Sequence, residues 1–205
     1  HKYWTFFRNS FPNSAEADFV AEYFVDAKKY KKIVVLSDYS SYSTDLANAT
    51  MKALKEKKAN VIYEGKIKAG TQNFTATLTK VKSMEPDVIF FGGYYTDGGL
   101  LRAQQEQLGI KADFVGGDSN DNPDFMKLAG TSAKGSFLNI TSANTGVCTP
   151  AILLFSSTTS STVITLMSNS PHNRAILSKS ASFASSSCST SSASCFAFLT
   201  SPRNA

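Results

Sequence analysis

Short apolar runs alternate with amphipathic segments along most of the chain. Two runs, residues 32–37 and 87–91, are apolar at nearly every position. This pattern is typical of strands that are buried on both faces of a sheet. Shorter or more mixed runs predict further strands at residues 3–7, 60–63, 112–115 and 135–140.

Between these strands, apolar residues recur at the spacing of one helix face. Val20, Tyr23, Phe24 and Ala27 stand at i, i+3, i+4 and i+7, behind cap-type residues at positions 13 and 14. The same reasoning predicts other helices at residues 43–57, 74–81 and 97–108, with Gly109 as a C-cap, and a short one that opens at Asn122 and Pro123.

The alternation of strands with helices of this length predicts an α/β fold. Parallel strands need long crossover connections, which are right-handed and usually helical. The prediction is therefore a mainly parallel sheet with flanking helices, followed by an irregular Ser-rich tail.

The composition changes abruptly after residue 146. All 16 acidic residues lie at or before Asp124, and no Asp, Glu, Gly, Gln, Tyr or Trp follows Gly146. Of the 58 residues from 148 to 205, 24 are Ser or Thr. We therefore predict two parts: an α/β domain at residues 1–146, and a low-complexity tail at residues 147–205. The tail is expected either to be disordered or to result from translation in a wrong reading frame.

Charge and motifs narrow the function classes. The net charge is +5, but residues 1–146 carry 18 basic against 16 acidic side chains, so no basic face favours nucleic acid. Cys148, Cys188 and Cys195 all lie in the tail, and none has a histidine at metal-ligand spacing. No nucleophile elbow, phosphate-binding loop or dinucleotide fingerprint occurs. The sequence thus predicts no enzyme, no catalytic residue, no metal and no cofactor.

The candidate chemistry lies where predicted strands end. Tyr39 and Tyr42 follow the strand at 32–37, "GGYY" follows the strand at 87–91, and "GGDSN" follows the strand at 112–115. Ligands bind beyond the carboxyl ends of the strands in open parallel sheets. Each segment alone is also compatible with an ordinary turn, because Gly, Asp and Asn are common turn residues. Three such segments at one edge favour a binding site.

These segments resemble a known family. "KKIVVLSDYSSYSTDLA", "PDVIFFGGYYTDGGLL" and "DFVGGDS", in this order and at this spacing, are similar to the second lobe of type I periplasmic binding proteins. The most similar branch contains the leucine/isoleucine/valine-binding proteins of ABC importers. The resemblance covers about residues 1–145 and leaves out the tail and the first lobe of the family.

The resemblance implies three ligand-binding residues. Tyr42 matches a tyrosine that closes over the bound amino acid, and Tyr94 matches a strand-end tyrosine that faces the ligand; Tyr95 is expected to point elsewhere. Asp118 matches an acidic residue that accepts hydrogen bonds from the ligand's α-ammonium. The chemistry is sound, because a buried ammonium needs a carboxylate partner and aromatic faces attract cations and apolar side chains.

The resemblance also implies a biological setting. We expect a fragment of a periplasmic or extracellular, bacterial substrate-binding protein that takes branched-chain or related amino acids to an ABC permease. We expect a monomer, and weak or no amino-acid binding by the 205 residues alone. A ligand-sensing domain of the same fold in a regulator or receptor is the alternative, and amides or urea remain possible ligands.

Overall fold

The computed structural model describes residues 11–142, 149–155 and 161–164. The strand predicted at residues 3–7 lies outside this part of the chain. Five α-helices and seven strands are described: α1 Asn13–Glu22, β1 Ile33–Ser37, α2 Ser41–Glu56, β2 Val61–Lys66, α3 Thr75–Lys82, β3 Val88–Phe91, α4 Tyr95–Gln107, β4 Asp113–Gly116, α5 Pro123–Ala129, β5 Ser136–Ser142, β6 Thr149–Phe155 and β7 Ser161–Ile164.

The strands form one sheet in the order β2-β1-β3-β4-β5-β6-β7. The first five strands of this order are parallel to one another, as the alternation of strands and helices predicts. β6 and β7 continue the sheet in antiparallel pairing. The α/β fold class with a parallel sheet and flanking helices is thereby confirmed.

β6 and β7 lie after the predicted domain boundary at residue 146. β6 pairs directly with β5, so the described sheet passes the boundary without a break. The other residues of the predicted tail lie outside the described residues. The position of the boundary stays a prediction.

Both faces of the sheet are covered, which explains why β1 and β3 are apolar at successive positions. Val34, Leu36 and Phe91 face one side, where they pack with residues of α3, α4 and α5. Val35 and Phe90 face the other side, where they pack with residues of α1 and α2. Every residue of β1 and β3 is buried as a result.

Two helices begin earlier than the sequence predicts. α2 begins at Ser41, because the Ser40 side chain accepts a hydrogen bond from the backbone N–H of Ser43 and caps the helix. Tyr42 therefore lies in the first turn of α2 and not before the helix. α4 begins at Tyr95, two residues before the predicted start at Asp97.

The first helix also differs from its prediction. Pro12 precedes α1, and the residues at positions 13 and 14, predicted to cap it, lie inside its first turn. α1 is continued by a π-helical turn, Tyr23–Ala27, in which the N–H of Lys28 donates to the carbonyl oxygen of Tyr23. The Lys28 ammonium lies 4.4 Å from the centre of the Phe137 ring and 3.4 Å from an Asp113 carboxylate oxygen, which fixes this turn against the sheet.

Candidate functional site

The ends of three parallel strands meet at one edge of the sheet. Leu36 of β1 is paired with Phe91 of β3, which is paired with Gly116 of β4. The segments that follow these residues therefore emerge side by side at the carboxyl edge, as the sequence predicts.

The structure brings the three predicted ligand-binding residues together. The Tyr42 hydroxyl donates a hydrogen bond of 2.6 Å to the Asp118 carboxylate. The Tyr42 and Tyr94 ring centres lie 5.4 Å apart, with their planes inclined by 41°. Two aromatic rings and one carboxylate thus form a continuous group at the strand ends. Their role in ligand binding stays a prediction.

The two tyrosines differ in exposure. Tyr94 is 43% exposed, so its ring is open to solvent. Tyr42 is half-buried, and burial, the nearby Glu16 carboxyl and the hydrogen bond to Asp118 all raise the pKa of its hydroxyl. Tyr42 consequently stays protonated at physiological pH and acts as a hydrogen-bond donor to Asp118. Tyr95, by contrast, packs against the core on the side of α3 and α4.

The turns after β3 and β4 are tied to each other through one carbonyl group. The Gly93 carbonyl oxygen accepts hydrogen bonds of 2.8 Å from the Ser119 hydroxyl and from the Asn120 side-chain amide. Ser119 and Asn120 belong to the 3-10 turn that begins at Asp118. The position of Asp118 therefore depends on the turn that carries Tyr94.

The two glycines of the "GGYY" segment have different surroundings, and we expect different responses to substitution. A Cβ atom at Gly93 would overlap with the buried Phe91 ring, whereas one at Gly92 would meet its neighbours at 3.5 Å or more. Gly93→Ala should lower the free energy of unfolding by about 1–3 kcal/mol, because the ring must move within a packed core. Gly92→Ala is the matched control and should cost less than about 1 kcal/mol.

Urea denaturation of both variants checks this difference. Equal losses of stability in Gly92→Ala and Gly93→Ala would contradict the close packing of Gly93 against Phe91. In two-dimensional NMR spectra of the folded variants, the Ser119 and Asn120 resonances should be displaced only in Gly93→Ala.

A second carboxyl group, Glu16, belongs to this region and is missed by the sequence reasoning. Glu16 lies on α1 and is fully buried, and its Oε1 atom accepts a hydrogen bond of 2.9 Å from the backbone N–H of Asp118. Burial, and next the charge of Asp118, raise the pKa of Glu16 from 4.5 to about 8. One signal was available: Glu16 stands four residues before Val20, on the apolar stripe of the helix.

Asp97 fixes another part of the same edge. Its carboxylate accepts hydrogen bonds of 3.0 and 3.3 Å from the backbone N–H of Gly70, in the loop after β2. Asp97 is buried, and this burial raises the pKa of its carboxyl group. The residue predicted as a helix start thus also anchors a loop beside the site.

The opposite, amino edge of the sheet carries a hollow of about 760 Å³. Its lining includes Lys28, Lys31, Lys111 and Asp113, and none of the three predicted site residues. Within residues 11–142 and the described parts of β6 and β7, no three His, Cys, Asp or Glu side chains are grouped as a metal site would require. No helix of this part has the length and apolar character to cross a membrane.

The described residues form an α/β lobe with an aromatic and acidic group at the carboxyl edge of its sheet. The sequence profile of the periplasmic binding protein family matches residues 2–158. The chain belongs to this family, and the recognition made from the sequence motifs is confirmed.

The individual relatives agree with this assignment. The chain is 32% identical over 129 residues to the Leu/Ile/Val-binding protein homolog 3 of Brucella melitensis, a match that covers 63% of this chain and 35% of that protein. A leucine binding protein from Thermotoga maritima superimposes with a TM-score of 0.63 at 26% identity, covering 66% of this chain and 39% of its own. The substrate binding protein of a branched-chain amino acid transporter from Streptococcus pneumoniae, solved in complex with isoleucine, gives a TM-score of 0.58 at 27% identity, with coverages of 63% and 37%.

Each match covers only part of the relative's own chain. The chain spans about a third of the length of the curated relatives that it matches. The relatives are named as solute-binding proteins and not as enzymes.

Proposed function

We propose that the chain is a ligand-contacting lobe of the substrate-binding component of an ABC importer for branched-chain or related amino acids. The observation that carries the proposal is the convergence of Tyr42, Tyr94 and Asp118 at the carboxyl edge of the sheet. The names of the relatives, which bind leucine, isoleucine or valine, support the same ligand class.

Each side chain has a chemical role in this proposal. The Asp118 carboxylate pairs with the α-ammonium of the amino acid, which an uncharged site would leave unpaired at a high cost in free energy. The Tyr42 hydroxyl holds this carboxylate in place through its hydrogen bond. The exposed Tyr94 ring covers the apolar side chain of the ligand and attracts the ammonium by roughly 0.5–2 kcal/mol.

The proposal includes the setting of the whole protein. Family membership supports a periplasmic or extracellular location, delivery of the ligand to an ABC permease, and a role in binding and not in catalysis. The described site is open, with Tyr94 exposed on one side. We therefore expect the 205 residues alone to bind leucine with a dissociation constant in the millimolar range or weaker, which corresponds to a binding free energy of about −4 kcal/mol or a less negative value.

A titration of the full chain with L-leucine, followed by two-dimensional NMR, tests the proposal. Leucine should shift resonances of residues 42, 94 and 118–120. The keto acid of leucine, which lacks the ammonium, should need an at least about ten-fold higher concentration to produce the same shifts. Asp118→Asn should weaken leucine binding by a similar factor, because the charged partner of the ammonium is lost.

Asp18→Asn is the matched control, since it removes the same charge from an exposed position of α1. This variant should bind leucine as the parent chain does. The proposal is wrong if leucine and its keto acid act equally, or if Asp118→Asn and Asp18→Asn have the same effect.

A further inference from the structure

The Glu16 carboxyl group lies directly behind Asp118 and uses only one of its oxygens. Oε1 accepts the backbone N–H of Asp118 at 2.9 Å, although the two residues are 102 positions apart. Oε2 is buried and has no hydrogen-bond partner among the described residues. One oxygen therefore fixes the turn that carries Asp118, while the other is free to carry or release a proton.

Among residues 11–142 and the described parts of β6 and β7, no cation offsets the charges of the two carboxyl groups. The titratable groups that face Glu16 are Asp118, from the turn after β4, and Tyr42, from α2. β5 contributes the uncharged amide of Asn139, which approaches the Glu16 carboxyl group and favours its charged form, although neither Oε2 nor the Asn139 side chain has a partner in good hydrogen-bond geometry among the described residues. β6 also contacts α1, and its sequence TPAILLF has no titratable side chain.

We propose that Glu16 is a second acidic group of the ligand site, and that an amine cation bound at Asp118 drives a proton from Glu16 into the solvent. The inference rests on the proposed function only in its assumption that Asp118 receives the ammonium. The Glu16 side chain itself touches the Asp118 backbone, so Glu16 is a positioning residue that acts through Asp118.

The direction of this coupling follows from the charges. Burial and the Asp118 carboxylate raise the pKa of Glu16 to about 8, so at neutral pH the pair carries one negative charge and one proton. A cation at Asp118 offsets the like charge and attracts the Glu16 carboxylate, which lowers the pKa of Glu16. Binding then releases a proton, and by linkage the affinity for the amine rises with pH, by at most ten-fold per pH unit, up to about pH 8.

A carbon-13 NMR titration of the full chain, labelled at the glutamate side-chain carboxyl carbons, measures this coupling. The signal that disappears in Glu16→Gln is assigned to Glu16. We expect its midpoint near pH 8 in the free chain. The midpoint should fall by about one pH unit in Asp118→Asn, and again with L-leucine near saturation, but not with the keto acid of leucine.

The possible outcomes separate the coupling from the proposed function. A Glu16 midpoint at an ordinary carboxylate value, or one that Asp118→Asn leaves unchanged, overturns the inference. If leucine shifts the Tyr42 and Tyr94 resonances but not the Glu16 midpoint, proton release is overturned and the proposed function stands. If Asp118→Asn lowers the midpoint but leucine affects no site resonance, the proposed ligand is wrong, and proton release on its binding falls with it.

Discussion

Replacing Phe90 with alanine is expected to lower the free energy of unfolding by about 3–5 kcal/mol. Phe90 lies in β3, between β1 and β4 in the sheet, and its side chain is fully buried. Its ring packs edge-on against Phe24 with the ring centres 6.2 Å apart. Alanine would lose this contact and leave a cavity between the sheet and the α1–α2 layer, which the rigid strand backbone cannot close.

Urea denaturation monitored by circular dichroism measures the effect. Tyr39→Ala is the control, because the Tyr39 side chain is 70% exposed and its removal should change the free energy of unfolding by less than about 0.5 kcal/mol. A loss below about 1 kcal/mol for Phe90→Ala would contradict the packing of α1 and α2 on this face of the sheet.

The second large effect is a dependence of stability on pH that originates at Glu16. The folded chain holds the Glu16 proton more tightly than the unfolded chain does, since burial raises the pKa from 4.5 to about 8. The contribution of Glu16 to stability is therefore full below about pH 4.5 and is lost as the pH rises to about 8. This difference in the pKa of Glu16 corresponds to a loss of roughly 4–5 kcal/mol in the free energy of unfolding over this pH range.

Glu16→Gln should remove most of this loss, because a neutral amide has no proton to release and keeps an oxygen for the Asp118 N–H. Burial also raises the pKa values of Asp97 and Asp121. In Glu16→Gln, these two residues should still make the free energy of unfolding fall with rising pH, but less steeply. Glu64→Gln, on an exposed strand position, makes the same chemical change and should leave the pH dependence as it is. Parallel curves of stability against pH for the parent chain and Glu16→Gln would contradict the burial of a protonated Glu16.

Local patterns in the sequence were sufficient to predict α1 to α5 and β1 to β5, but not β6 and β7. The apolar runs of β1 and β3 and the helical spacing of Val20, Tyr23 and Phe24 reflect contacts that repeat along one element. The strand order β2-β1-β3-β4 has no such local signal, because it depends on how the crossovers pack. The π-helical turn at Tyr23–Ala27 likewise has no signal in the local apolar spacing.

The candidate site shows the same division. Tyr42, Tyr94 and Asp118 were proposed from their places after strands and from a family resemblance, and the structure brings them together. Glu16 was not proposed, because its partner Asp118 is 102 residues away and a carboxyl group in a helix is usually solvated. Only its place on an apolar stripe distinguishes it from the exposed Asp18 two residues later.

The most direct test of the site is an isotope-filtered nuclear Overhauser measurement of unlabelled L-leucine in excess over the carbon-13-labelled full chain. This method reports which protein protons lie next to the leucine methyl groups. We expect cross-peaks from these methyl groups to the Tyr42 and Tyr94 rings, and their loss in Asp118→Asn. Cross-peaks only to residues of the opposite edge, such as Lys28 and Lys111, or none to either tyrosine, would contradict the assignment of the site.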